Sequence, residues 1–212
     1  MKILAIDTSG ERGSIALVQD AVVVEEVALH APDGFGQVLF QAIVDLLARH
    51  SLAVLDVDCF ASAIGPGTFT GVRIGLTAAK GLAESAGKRV AGVSNLKAMA
   101  FYGEAHTRAV FADARRKDVY AAVYDSSLRL ISPEVVAPLE QWLSSLQLVP
   151  DEFLCQDFAT YSVEGVRRQV PWELAGAIGV IAAREDDFKD PAALEANYVR
   201  RTDAELALKV SP

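Results

Sequence analysis

The sequence predicts an α/β fold built from two related βββαβα halves with mixed sheets. Three observations carry this expectation. Two apolar, strand-length stretches end in an aspartate, at Asp7 and at Asp113. Each is followed by a short polar turn and two further β-rich stretches before helical periodicity begins. The two aspartates lie 106 positions apart, half of the 212-residue chain. At that offset Gly13 meets Val119, Ala16 meets Ala122 and Leu17 meets Val123.

In the first half, residues 2–8 are continuously apolar up to Asp7-Thr8-Ser9-Gly10 and read as a buried strand. Residues 13–18 and the Val-rich residues 21–29 read as two more, joined by short connections that suit an antiparallel meander. Helical spacing runs from about Gln37 to Arg49. A strand over Cys59–Ile64 enters Gly65-Pro66-Gly67, and a helix follows from about Thr70 to Ala86. A strand over Arg89–Val93 leads to Ser94, a suitable N-cap for a third helix. The second half repeats the order with strands over 109–113, 119–124 and 128–136. A helix over 138–146, a strand over 153–156 and a helix from Pro171 to Arg184 complete it. The hinge is expected near Gly103–Thr107, dividing residues 1–105 from 106–212. A strand–turn–strand unit with a terminal aspartate, used twice, is the plan of actin-like ATPases, whose halves face each other across a nucleotide cleft. An unrelated α/β chain whose strands happen to end in aspartate is the alternative.

Two helices carry more apolar surface than one core needs, since about 100° of arc suffices for a single buried face. On the first, Val38, Leu39, Ala42 and Leu46 can face the sheet, which leaves Phe40, Val44 and Leu47 on an outer face. On the second, Arg73, Thr77, Lys80 and Glu84 make one narrow polar stripe, and Gly71, Gly75, Ala78 and Leu82 form a flat face beside that of Val72, Leu76, Ala79 and Ala83. A glycine inside a helix costs roughly 1 kcal/mol relative to alanine. Two such glycines imply an offsetting close approach, expected here to be another helix. The outer faces therefore read either as a protein-association surface or as surfaces buried within the monomer.

The composition narrows the chemistry. Lys plus Arg number 20 and Asp plus Glu 28, for a net charge of −8, so unaided binding to a nucleic-acid backbone is not expected. Two cysteines without metal-ligand spacing exclude a disulfide framework and fit a reducing cytoplasm. No export or membrane segment is expected. His30, His50 and His106 are dispersed, so no metal site and no catalytic residue is assigned. The loop Gly65-Pro66-Gly67-Thr68-Phe69-Thr70-Gly71 lacks the Gly-Lys-Ser/Thr ending of a phosphate-binding P-loop. Asp7, Thr8, Ser9 and Asp113 are the candidates for contact with a nucleotide, its phosphate or Mg²⁺; turn-capping is their ordinary alternative. The turn Asp113-Ala114-Arg115-Arg116-Lys117-Asp118 reads as a solvated hairpin, or as a charged contact for a partner or an RNA phosphate.

Several of these stretches together resemble one bacterial family, TsaB, also called YeaZ. They are Ile3-Leu4-Ala5-Ile6-Asp7-Thr8-Ser9, the block Gly65-Pro66-Gly67-Thr68-Phe69-Thr70-Gly71-Val72-Arg73-Ile74-Gly75-Leu76, Ala79-Lys80-Gly81-Leu82-Ala83 and Gly92-Val93-Ser94. Asp113-Ala114-Arg115-Arg116, Val119-Tyr120 and Tyr198-Val199-Arg200 extend the likeness into the second half. The resemblance implies an actin-like fold and a part in forming N6-threonylcarbamoyladenosine beside the anticodon of tRNAs that read codons beginning with A. It implies a noncatalytic scaffold that binds the transferase TsaD, with TsaE docking as an ATPase. The chain would meet tRNA only through the complex and pair with itself when TsaD is absent. The implied interface residues are Phe40, Val44, Leu47, Gly71, Arg73, Gly75, Ala78 and Leu82. No cofactor is expected of the chain itself, with ATP or ADP at the partner interface as the alternative. An actin-like ATPase or kinase is the competing function, and a metallopeptidase a remoter one. Where the family usually has His-Ser and then Leu-Leu-Pro, this chain has Phe35-Gly36-Gln37-Val38-Leu39-Phe40-Gln41.

Overall fold

A computed structural model describes residues 1–199. Its first sheet contains β1 (Lys2–Asp7), β2 (Gly13–Gln19), β3 (Val22–Leu29), β4 (Cys59–Ala63) and β5 (Arg89–Val93), in the order β3-β2-β1-β4-β5. The first three strands run antiparallel, whereas β4 and β5 continue parallel to β1. The second sheet contains β6 (Thr107–Asp113), β7 (Asp118–Asp125), β8 (Leu130–Pro138), β9 (Glu152–Cys155) and β10 (Arg167–Gln169). Its order, β10-β9-β6-β7-β8, is the first sheet's order over again, with the same change from antiparallel to parallel pairing.

The register refines the expected correspondence of the halves. Ala5 pairs with Ala16, and Phe111 pairs with Ala121, so Ala16 answers to Ala121 and not to Ala122. The turn after Asp113 is one residue shorter than the turn after Asp7. A one-residue slip would have exchanged the two faces of β7.

The helices are α1 (Leu39–Arg49), α2 (Phe69–Ala86), α3 (Asn95–Ala100), α4 (Leu139–Ser145) and α5 (Ala175–Glu185). Leu4, Ile6, Ile15 and Leu17 point to one side of the first sheet and pack with Leu39, Ile43 and Leu46 of α1 and Leu76, Ala79 and Ala83 of α2. Ile3, Ala5, Ala16 and Val18 point to the other side, against α5 and the second sheet. Phe111, Val123 and Trp142 lie in a third cluster beneath α4. The strand period of two thus sorts side chains into separate layers.

The last described segment belongs with the first sheet, which departs from a simple division at 105/106. The N–H groups of Ala175 and Gly176 donate to Ser14 Oγ (3.0 Å) and Glu26 Oε1 (2.9 Å). Lys189 bridges Val90, and the N–H of Asn197 donates to Ile64 O at 2.7 Å. These bonds also explain why α5 begins at Ala175 and not at Pro171. Its first N–H groups have side-chain acceptors on β2 and β3. Among the described residues no helix is long and apolar enough to cross a membrane.

Candidate functional site: an outer helix groove and a cleft between the sheets

Helix α1 presents Leu39, Ile43, Leu46 and Leu47 to the core and leaves Phe40 and Val44 each 54% exposed. The outward assignment of Leu47 is thereby corrected. Leu47 lies one turn beyond Ile43 and shares its buried face. Helix α2 starts at Phe69 because Thr68 Oγ1 caps it, accepting from the N–H of Gly71 at 3.2 Å. Between the two helices runs an open apolar groove of about 700 Å³, with Phe40, Phe69, Arg73, Ile74, Ala78 and Leu82 among its lining residues.

Gly71 and Gly75 do not belong to that groove. A Cβ on Gly71 would lie 2.1 Å from the Thr8 carbonyl oxygen, and one on Gly75 would lie 2.7 Å from Thr8 Oγ1. Thr8 Oγ1 also donates to the Gly71 carbonyl at 2.7 Å. The close approach foreseen for these glycines is therefore internal, between α2 and the end of β1. The α2 glycine with open space at its Cβ is Gly81, which does line the groove. Sequence reasoning passed over it because it sits among the polar residues Lys80 and Glu84.

On the opposite side of β1 lies a cleft of about 310 Å³ between the sheets, lined by Asp7, Ser9, Thr68, Asn95, Asp113 and Arg115 among others. Asp7 and Asp113 are thus brought to one cavity in different states. Asp7 is buried, and its Oδ1 accepts from Ser9 N (2.9 Å) and Ser9 Oγ (2.6 Å). Asn95 Nδ2 lies 3.4 Å from both Asp7 oxygens and donates to Ser9 Oγ at 2.7 Å. Asn95 also accepts the N–H of Gly65, so it ties the glycine loop to the aspartate. The only sequence sign of this role was its place after the capping Ser94. Asp113 is exposed, and its Oδ1 accepts from Arg115 N and Tyr161 Oη, each at 2.8 Å. Burial, reinforced by that bond, pushes the Tyr161 phenol up. Thr8 is buried at α2 and does not line the cleft.

Across the cleft mouth Arg115 Nη2 meets Glu11 Oε1 at 2.5 Å, joining the turn after β1 to the turn after β6. Both side chains are mostly exposed, so the pair contributes little to stability. Arg115, Arg116 and Lys117 all have positive φ, between 56° and 69°. Such backbone costs on the order of 1 kcal/mol or more per residue and marks a tightly specified turn. Among the described residues no cluster of three or more His, Cys, Asp or Glu is placed to hold a metal.

Burial raises the Asp7 carboxyl above its ordinary value, and the bonds from Ser9 and Asn95 offset this only in part. The folded chain therefore binds more protons than the unfolded chain between the ordinary and the raised value. Stability falls as pH rises through that window, and the loss is complete above it. Asp7→Asn keeps an acceptor for Ser9 and removes the charge. Its melting temperature should exceed that of the wild type at about pH 7, and the gain should vanish near pH 3. Thermal melts of both proteins at the two pH values check this.

Known proteins are similar to this chain in sequence and in fold. A family model described as TsaD, tRNA N6-adenosine threonylcarbamoyltransferase, matches residues 30–155. The tRNA threonylcarbamoyladenosine biosynthesis protein TsaB of Escherichia coli (strain K12) is 36% identical over 158 residues, covering 68% of each chain. The protein of the same name from Bacillus subtilis (strain 168) is 35% identical over 153 residues, 69% of this chain and 66% of its own. A solved structure of an uncharacterized Pseudomonas aeruginosa protein with similarity to peptidase YEAZ matches with TM-score 0.80 and 25% identity. The match covers 94% of this chain and 99% of that one. Component A of (R)-2-hydroxyglutaryl-CoA dehydratase from Acidaminococcus fermentans (TM-score 0.55, 9% identity, 87% and 98% covered) shares the fold alone. With its paired five-stranded sheets, the chain has the expected actin-like fold. The chain belongs to the TsaB (YeaZ) family, whose named members are tRNA threonylcarbamoyladenosine biosynthesis proteins.

Proposed function

We propose that the chain takes part in tRNA threonylcarbamoyladenosine biosynthesis as a noncatalytic scaffold, required together with TsaD and TsaE. It docks TsaD through the α1–α2 groove, meets tRNA only within the complex, and pairs with itself through the same face when TsaD is absent. The observation that supports this reading most is the exposure of Phe40 and Phe69 on one apolar groove, with Val44 exposed one turn further along α1, in a TsaB-family chain. Aromatic anchors beside a groove are the usual energetic centre of a protein interface.

A second reading, an actin-like ATPase or kinase, draws on the buried Asp7 at the edge of the cleft. A carboxylate kept against its own desolvation is a common mark of a functional site. Reconstitution separates the two. TsaD, TsaE and a supply of threonylcarbamoyl-adenylate should form the modified base when this chain is added and fail to do so when it is left out. Equal yield with and without the chain would dispose of the scaffold. ATP turnover by the chain alone, lost in Asp7→Asn, would transfer the assignment to the ATPase.

A further inference from the structure

Glu134 lies on β8, an edge strand of the second sheet. It lines neither the α1–α2 groove nor the adjoining depression between α2 and residues 191–198. Its carboxylate nevertheless gathers donors from three distant parts of the chain. Oε1 accepts from the hydroxyl of Ser94, which follows β5 of the first sheet, and from Tyr124 Oη of β7 at 2.7 Å. Oε2 accepts from Asn197 Nδ2 at 2.5 Å. Burial first, and then the Glu134 charge, push the Tyr124 phenol up, so it stays a donor. Hydrogen bonds to a carboxylate are among the stronger ones, and three of them fix this side chain between the two halves.

Asn197 carries that fixity to the groove. Its own N–H donates to Ile64 O at 2.7 Å, and three residues earlier Lys80 Nζ of α2 donates to the Leu194 carbonyl at 2.9 Å. The segment 194–198 is thereby laid along α2. The Tyr198 ring lies 5.7 Å from that of Phe69, and its hydroxyl accepts from Arg73 Nε at 3.0 Å. The Arg73 guanidinium sits 3.6 Å from the Phe69 centroid. Phe69 and Arg73 both line the groove. Phe69 is 45% exposed, so the core does little to fix its ring, and that is left to Tyr198 and Arg73. Side chains ordered before a partner arrives spare association the entropy of ordering them. We propose that Glu134 is a positioning residue for the docking face: through Asn197 it holds Tyr198 against Phe69 and Arg73, so that a carboxylate of the second half presets a face built by the first. This rests on the docking face proposed above.

The bond between Glu134 and Asn197 can be broken and then rebuilt with its ends exchanged. Asn197→Asp sets two carboxylates against each other. Asn197→Ala removes the donor without adding charge, and keeps the test open if the opposed carboxylates disturb folding. Asn197→Asp combined with Glu134→Gln puts the donor at position 134 and the acceptor at position 197. Affinity for TsaD, measured by calorimetry, should fall about tenfold in Asn197→Asp and by a smaller factor, about threefold, in Asn197→Ala. The double variant should return to within about twofold of the wild type. Full affinity in the two single variants, or a loss that Glu134→Gln does not restore, overturns the role of Glu134 and leaves the docking face standing. A wild-type chain that does not bind TsaD overturns both.

Discussion

Gly71→Ala should destabilise the protein by at least about 3 kcal/mol, the upper range for overpacking a site that cannot yield. The added methyl would lie 2.1 Å from the Thr8 carbonyl oxygen and 2.5 Å from the Thr68 hydroxyl. The first of these is backbone, at the end of the central strand β1, whose neighbours β2 and β4 hold it on both sides. The start of α2 would have to move, breaking the Thr68 cap and the bond from Thr8 to the Gly71 carbonyl. Urea denaturation gives the loss directly. A change below about 1 kcal/mol would mean that α2 can shift freely, and that its register against β1 is not set by this glycine.

The second large effect concerns association. Phe40→Asp combined with Val44→Asp places two carboxylates on the outer face of α1, where the native side chains are each 54% exposed. Folding should change by less than about 1 kcal/mol, because neither site is in the core. Affinity for TsaD should fall by about a hundredfold or more, since Phe40 lines the groove and Val44 is exposed one turn beyond it on the same helix. Co-elution of the folded double variant with TsaD would reject the α1–α2 face. Gly75→Arg is unsuited to this purpose. Its side chain would enter the space of Thr8 Oγ1 and Ile6, so it would report on folding and not on binding.

Much of the fold could be read in advance because its signals are local. Strand length, alternation and capping residues placed β1 to β9 and α1 to α5 to within a few residues. β10 escaped notice because Arg167-Arg168-Gln169 is short and polar, and only pairing with β9 makes it a strand. On α1, helical spacing separates Phe40 and Val44 from Leu39 and Ile43 without difficulty. It fails at Leu47, because the angle of a side chain around a helix does not say how far the core wraps. The glycines of α2 show the same boundary. Their helix penalty signals a close neighbour, but Thr8 is 63 positions before Gly71 in the chain. The cleft was legible as a pair of strand-terminal aspartates. What was not legible is that Asp7 is buried and tied to Ser9 and Asn95, whereas Asp113 is exposed and held by Tyr161. Those differences arise from contacts between distant segments, which no local pattern encodes.

The placement of α5 bears on how the chain is made. A ribosome releases the five strands of the amino-terminal sheet long before residues 175–185, yet those residues pack against all five of them. Until they emerge, Ile3, Ala5, Ala16 and Val18 lack the helix that packs over them. Nascent chains of increasing length should therefore remain protease-sensitive and chaperone-bound until the segment ending near Asn197 has left the exit tunnel. The earliest part of the protein to be synthesised is then among the last to become secure.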